Sequence, residues 1–185
     1  RPRYSNDLYQ AGGPPRPPSR RAALAGGFDT PVPALVMRPN SANPPSLFFP
    51  AGPMLKGNWN GTTVGSGTDA WKYWAERQAG NLDDCAWRGI EEGIARSPGH
   101  CMTMGTASTM ACIAETLGMA LPGSAAIPAV HSARLLAAEA SGRAAMAMVQ
   151  SPITPRQIIT EKSVANALRV LMAVGGSTNA VIHLA

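Results

Sequence analysis

The chain has 185 residues, enough for one medium domain with its own core. Hydrophobic residues make up 45%, charged residues 15% and aromatic residues 5%, and the net charge is +5. The excess charge gathers at Arg1, Arg3, Arg16, Arg20 and Arg21, opposed only by Asp7. This is a solvated basic tail rather than a basic face interleaved with aromatics, so nucleic acid is excluded as the expected partner.

Residues 1–25 are rich in Pro, Gly and Arg (GGPPRPPSRR) and read as an irregular or disordered segment, the composition a shifted reading frame of a GC-rich gene would give. A composition shift near Gly26-Gly27 opens the folded part, 26–185. PALVM (33–37) is a short apolar run suited to a strand or a helix start, and SLFFP (46–50) reads as a buried strand. Residues 51–69, full of Gly, Thr, Ser and Asn, read as one long loop. From Asp69 the pattern turns helical. A helix is expected from Leu82 to Ser97, closed by Pro98-Gly99, and another from Thr106 to Met119, with Met110, Ile113, Ala114 and Leu117 at core spacing. Ser132 to Val149 is an Ala-rich helix. Thr154-Pro155 starts the next, with Val164, Leu168, Leu171 and Met172 on one face, and it runs to Gly175-Gly176. A last helix opens at Ser177-Thr178-Asn179 and is cut off at Ala185, as expected of a truncated domain.

Three cysteines, Cys85, Cys101 and Cys112, are too few for a disulfide framework and point to a reducing compartment. No 18-residue apolar run or secretory leader is present, so a cytoplasmic protein without membrane spans is expected. Cys101 is the residue of most chemical interest. It lies in a small-residue loop entering a helix, where free backbone N–H groups and the helix dipole favour a thiolate. It reads either as a metal or iron–sulfur ligand or as an inert thiol. Cys112 suits a core position, and Cys85 reads as incidental. His100 reads as an exposed loop residue and His183 as core; His131 completes a set without zinc spacing.

Two Gly-containing stretches are candidates for gripping an anion. Ala51-Gly52-Pro53-Met54 follows the SLFFP strand, and Gly175-Gly176-Ser177-Thr178-Asn179 opens a helix with hydroxyls that could hold a carboxylate. On spacing alone, turn and capping chemistry is the preferred reading of both. Asp29, in GGFDTPVP, could hold a hard cation at a loop tip or be a simple turn residue.

PSLFFPAGPMLKGNW, VGSGTDAWKYW, GHCMTMGTASTMACIAETLGMALPG and VLMAVGGSTNAVIHL together resemble the dihydroxy-acid dehydratase / phosphogluconate dehydratase family, closest to its aldonic-acid branch of arabinonate- and xylonate-type enzymes. The resemblance covers roughly 26–185. It implies an α/β fold: part of an N-terminal domain, helix-rich with a short parallel sheet, lacking the β-barrel domain that follows it in the family. It further implies a hydro-lyase that converts a 2,3-dihydroxy sugar acid into a 2-keto-3-deoxy acid. The dihydroxy-acid enzyme of branched-chain amino-acid biosynthesis is the next reading. The cofactors implied are an iron–sulfur cluster, often [2Fe–2S], held by three cysteines, and Mg2+. Iron acts there as a Lewis acid on the departing hydroxyl.

Carried over by position, Cys101 matches a cluster cysteine and Asp29 the magnesium aspartate, with Ser177 and Thr178 as candidate substrate-binding hydroxyls. Phe28 and Thr30 stand where the family has a cysteine and a lysine, and neither can replace the missing ligand. The chain alone is therefore expected to be inactive, with a catalytically dead remnant or an anion-binding module as alternatives. An intact parent is expected to be a homo-oligomer acting on a small sugar acid. Exposed apolar faces on 155–185 are expected to make the isolated chain associate or lose solubility.

Overall fold

SLFFP forms a strand because its Leu47-Phe48 pair is buried on assembly and prolines bound it. The computed structural model describes residues 44–184 and the backbone of Ala23–Gly27. The described elements are strands β1 (Ala23–Gly27), β2 (Ser46–Pro50), β3 (Gly57–Trp59) and β4 (Thr62–Val64), then seven helices. These are α1 (Thr68–Gln78), α2 (Asp84–Ile94), α3 (Thr106–Thr116), α4 (Ser132–Gln150), α5 (Pro155–Ile158), α6 (Glu161–Ala173) and α7 (Asn179–Leu184). The fold is thus helix-rich with a small sheet, as the sequence implies.

β1 pairs parallel to β2, Ala23 opposite Ser46 through Gly27 opposite Pro50. The short parallel sheet is the one expected. β1 itself corrects the reading of residues 1–25 as wholly irregular, since it begins inside that segment. ALAGG carries no strand signal of its own; pairing with β2 makes it a strand. PALVM (33–37) lies outside the described residues.

The expected long loop 51–69 instead holds the antiparallel hairpin β3–β4, with Trp59 opposite Thr62. Asn60 and Gly61 take positive φ at its turn, the residue pair that a tight two-residue hairpin requires. Trp59 then packs edge-on against Tyr73 of α1, with ring centroids 5.2 Å apart.

The core gathers around α3. Phe48, Met110, Ile113, Ala114, Leu117, Met119, Ala120, Ala167, Leu171 and Ala180 form one buried cluster, with Ile158, Val164 and Leu184 against it. Full burial of a Phe, Met or Ile side chain stabilises by roughly 1.5–3 kcal/mol. α3 stops at Gly118 (φ 85°), where Met119 N–H reaches the Ala114 carbonyl at 2.8 Å and Gly118 N–H reaches Glu115 at 3.0 Å. The turn then lets Met119 accept from Phe48 N–H at 2.7 Å, tying β2 to the end of α3.

The single helix expected after Thr154-Pro155 is two. Thr160 interrupts it: its hydroxyl accepts from Ser163 N–H at 3.2 Å, and its own N–H donates to the Ser163 hydroxyl at 2.8 Å. This reciprocal cap offers the backbone a better start than continuing α5. α2 is also shorter than expected, Asp84–Ile94 rather than Leu82–Ser97, because Asp83 caps it by accepting from Ala86 N–H at 2.7 Å.

Candidate functional site

Three loops gather around Cys101 and the start of the helix it leads into, two of them at Cys101 itself and the third at Thr106 and Thr109. The first is its own, 99–105, between α2 and α3. Gly99 has φ 132°, and a side chain there would collide with the Pro53 backbone, so glycine permits a close approach of the two segments. Met54 N–H donates to the His100 carbonyl at 2.8 Å, and His100 N–H donates to the Gly52 carbonyl at 3.0 Å. The Ala51–Met54 loop is therefore joined to the cysteine loop by a short parallel bridge. That bridge covers His100, which is 5% exposed and not the exposed loop residue expected. Its Nδ1 lies 3.0 Å from the Cys101 carbonyl.

The second loop follows β4. Ser66 Oγ lies 2.5 Å from Cys101 Sγ, and Thr103 Oγ1 lies 2.8 Å from it. Asp69, in the first turn of α1, accepts from Gly65 N–H at 2.8 Å and so fixes the Ser66 loop. Burial pushes the Cys101 thiol up, but hydrogen bonds from the Ser66 side chain, the Thr103 side chain and the Thr103 backbone hold it below the usual thiol value overall. Ser108 ties the loop to α3 by donating to the Thr103 carbonyl at 2.9 Å.

The third loop joins α6 to α7. Gly176 N–H reaches back to the Leu171 carbonyl at 3.0 Å, and a side chain at 176 would meet Leu171 and Thr109 at 2.7 Å. Ser177 Oγ lies 2.9 Å from Thr106 Oγ1, and Ser177 N–H donates to Thr109 Oγ1 at 3.0 Å. Asn179 adds a bond from Nδ2 to Thr106 at 3.1 Å. Ser177 is thus brought to the start of α3, the helix that the Cys101 loop enters, and serves there as a joint between two helix starts. Thr178 is exposed beside it.

The other candidates fall elsewhere. Cys85 is exposed on α2, as its incidental reading implied. Cys112 is only half-buried on α3; burial first, then the nearby Glu115 charge, push its thiol up. His183 is half-buried on α7 rather than core. Asp29, with Phe28 and Thr30, lies outside the described residues. Among the described residues no group of three or more His, Cys, Asp or Glu side chains is placed to hold a metal ion. A three-cysteine cluster does not fit the thiols that are described: one is in the site, one is exposed on α2, and one is on α3 with its thiol favoured.

Residues 22–185 match the family model described as the dihydroxy-acid/6-phosphogluconate dehydratase N-terminal domain. The chain belongs to this family. It is 45% identical over 163 residues to the 6-deoxy-6-sulfo-D-gluconate dehydratase of Pseudomonas putida, covering 88% of this chain and 28% of that protein. It is 46% identical over 167 residues to the L-arabinonate dehydratase of Rhizobium leguminosarum bv. trifolii, covering 90% and 29%. A dihydroxy-acid dehydratase from Dinoroseobacter shibae is 40% identical over 158 residues, covering 85% and 27%. This member of the family therefore spans under a third of the length of the curated relatives it matches. No described helix is long and apolar enough to cross a membrane.

Ser66 and Thr103 are the site residues that inspection of side-chain types passes over. Both lie within stretches that resemble the family, and Ser66 stands between two glycines at the tip of a loop. That placement is the only sequence signal for it, since its contact with Cys101 spans 35 residues of chain.

Proposed function

We infer that this chain is the thiolate-presenting N-terminal portion of a hydro-lyase lineage that dehydrates a 2,3-dihydroxy sugar acid to a 2-keto-3-deoxy acid. The observation that carries the reading is the polar cradle of Ser66 and Thr103 around Cys101 at the entry to α3. A thiol meant only to fill space needs no hydroxyl on each side. One that must stay ionised gains from both. The sugar-acid relatives at 45% and 46% identity favour that substrate class over branched-chain dihydroxy acids, whose dehydratase is matched at 40%.

The iron–sulfur cluster and Mg2+ implied by the resemblance need more ligands than this chain supplies. Cys101 is one thiolate, and Phe28 and Thr30 take two positions where the family has ligands. We therefore assign no reaction step to either cofactor here. Cys101 is a ligand by descent, and the 185 residues by themselves are catalytically silent. What remains to this chain's own residues is positioning: Ser66 and Thr103 hydrogen-bond the Cys101 sulfur, Asp69 fixes the Ser66 loop, and Ser177 fixes the third loop at the start of α3. The test is formation of 2-keto acid from L-arabinonate and from a branched dihydroxy acid, under anaerobic conditions with iron, sulfide and Mg2+ supplied. No product is expected from either. Keto acid from either one would overturn the silent reading, and the substrate consumed would decide the branch.

A further inference from the structure

Arg134 lies in the first turn of α4 and is 6% exposed. Its hydrogen-bond partners among the described residues are three backbone carbonyls. Nη1 donates to Pro50 at 2.8 Å and to Ser124 at 3.0 Å, and Nη2 donates to Ile127. A cation so placed is costly, because burial strips its water and the positive end of the helix dipole repels it. Filling space alone would favour an apolar side chain of similar size.

The three carbonyls belong to two segments that lead to the Cys101 site. Pro50 ends β2 and opens the Ala51–Met54 loop. Gly52 in that loop has φ 88°, and a side chain there would collide with the Arg134 guanidinium and the Ile127 carbonyl. The loop backbone therefore lies directly on the guanidinium, an approach that glycine allows. Ser124 and Ile127 lie between α3 and α4. Glu115 of α3 anchors that segment, its carboxylate accepting from Gly123 N–H at 2.7 Å and from Ala125 N–H at 2.8 Å. Ala129 N–H adds a bond to the Pro53 carbonyl at 2.9 Å. From Gly52 and Met54 the paired bonds to His100 lead to the neighbour of Cys101. Hydrogen bonds thus run in a closed circuit from α3 through residues 123–127, Arg134, the 50–54 loop and His100. The Cys101 loop closes it, tied to α3 by Ser108.

We infer that Arg134 is a positioning residue for Cys101: its guanidinium fixes the Pro50–Met54 loop against residues 124–127, and that loop, through His100, holds Cys101 between Ser66 and Thr103. The inference rests on the reading of Cys101 as a presented thiolate. A planar guanidinium spreads its N–H groups in a rigid fork and so reaches carbonyls of two segments at once. An ammonium keeps the charge but concentrates its donors on one atom.

Hydrogen exchange resolved by residue, and alkylation of Cys101 as a function of pH, test this on the full 185-residue chain. In the parent, the Met54 and His100 amides are expected to exchange about a hundredfold or more slower than in a free peptide. Fast exchange there would overturn the proposal without any variant. Arg134→Lys and Arg134→Met are each expected to speed these two amides about tenfold or more relative to the Ile113 and Ala114 amides of α3. Each should also move the Cys101 alkylation profile to higher pH and leave that of Cys112 in place. Equal acceleration in α3, or both thiol profiles moving together, would mean that Arg134 only stabilises the fold. An Arg134→Lys chain that matches the parent would show that charge suffices, and would equally overturn the positioning role. Ser66→Ala separates this role from the reading beneath it. If Ser66→Ala shifts the Cys101 profile and the Arg134 variants do not, the positioning role fails and the hydroxyl cradle stands. If none of the three shifts it, the cradle falls and the positioning role falls with it.

Discussion

Two Ala-rich helices of this chain, α3 and α4, have opposite fates. α3 buries Thr109, Met110, Ala111, Ile113 and Ala114, so that it is enclosed by the rest of the chain and its start can carry Cys101 in a fixed frame. α4 is longer, yet it buries only Arg134 and Ser141. The same residue types therefore serve different ends: in α3 they stabilise the fold that positions the site, and in α4 they form a surface. Composition alone does not separate the two. What does is the set of neighbours each helix meets, β2, α6 and α7 for the first and the two-stranded parallel sheet for the second.

The largest test of this contrast is truncation. Ile113→Ala is expected to destabilise the chain by about 2–5 kcal/mol, because it opens a cavity in the core. Leu136→Ala at dilute protein is expected to stay within about 0.5 kcal/mol of the parent. Urea unfolding followed by circular dichroism measures both, and equal costs would erase the distinction between the helices.

Arg134→Met comes next. It leaves the buried carbonyls of Pro50, Ser124 and Ile127 without their donor and removes a guanidinium whose charge sits 5.4 Å from the Phe49 ring. Burial alone pushes the pKa of this arginine below its ordinary value, so the charge is held at a cost and its hydrogen bonds offset it. A loss of about 1–3 kcal/mol is expected, with faster hydrogen exchange in α4 than in α3. A loss of similar size, about 1–3 kcal/mol, is expected for Gly176→Ala, whose methyl group must displace Leu171 or Thr109. It should loosen the junction between α3 and α7 and leave α4 unchanged.

Much of the fold was legible. SLFFP, the core spacing of α3 and the Gly175-Gly176 stop are local signals, and each appears where the pattern puts it. β1 was not legible, because ALAGG becomes a strand only through its partner 23 residues on. The α5–α6 break was hidden because apolar spacing continues through Thr160, and the cap that ends the run is a side-chain hydrogen bond. In the site, Cys101 and Ser177 were legible as loop residues at helix starts. The contact that brings Ser177 to Thr106, at the start of the helix the Cys101 loop enters, spans 71 residues and is a tertiary contact that no local pattern encodes. His100 was misplaced for the same reason: its cover comes from the Gly52–Met54 segment.

The finest test concerns the thiols. Cys101 and Cys112 depart from the ordinary thiol in opposite directions, the first held down by Ser66 and Thr103, the second pushed up by burial and Glu115. Alkylation by iodoacetamide as a function of pH should therefore show Cys101 ionising at lower pH than Cys112, with the sites resolved by mass spectrometry. Ser66→Ala removes one of the stabilising hydrogen bonds and should move the Cys101 profile upward without moving that of Cys112. A profile that ignores Ser66 would mean that the cradle is packing alone.

The central proposal is that Cys101 is presented as a thiolate in a hydroxyl cradle and that these 185 residues by themselves do not hold an iron–sulfur cluster. Iron and acid-labile sulfide analysis of the chain, expressed and purified without oxygen, tests it most directly. Colourless protein with negligible iron and sulfide is the expected result. Brown protein with near-stoichiometric iron and sulfide, lost on Cys101→Ser, would contradict it.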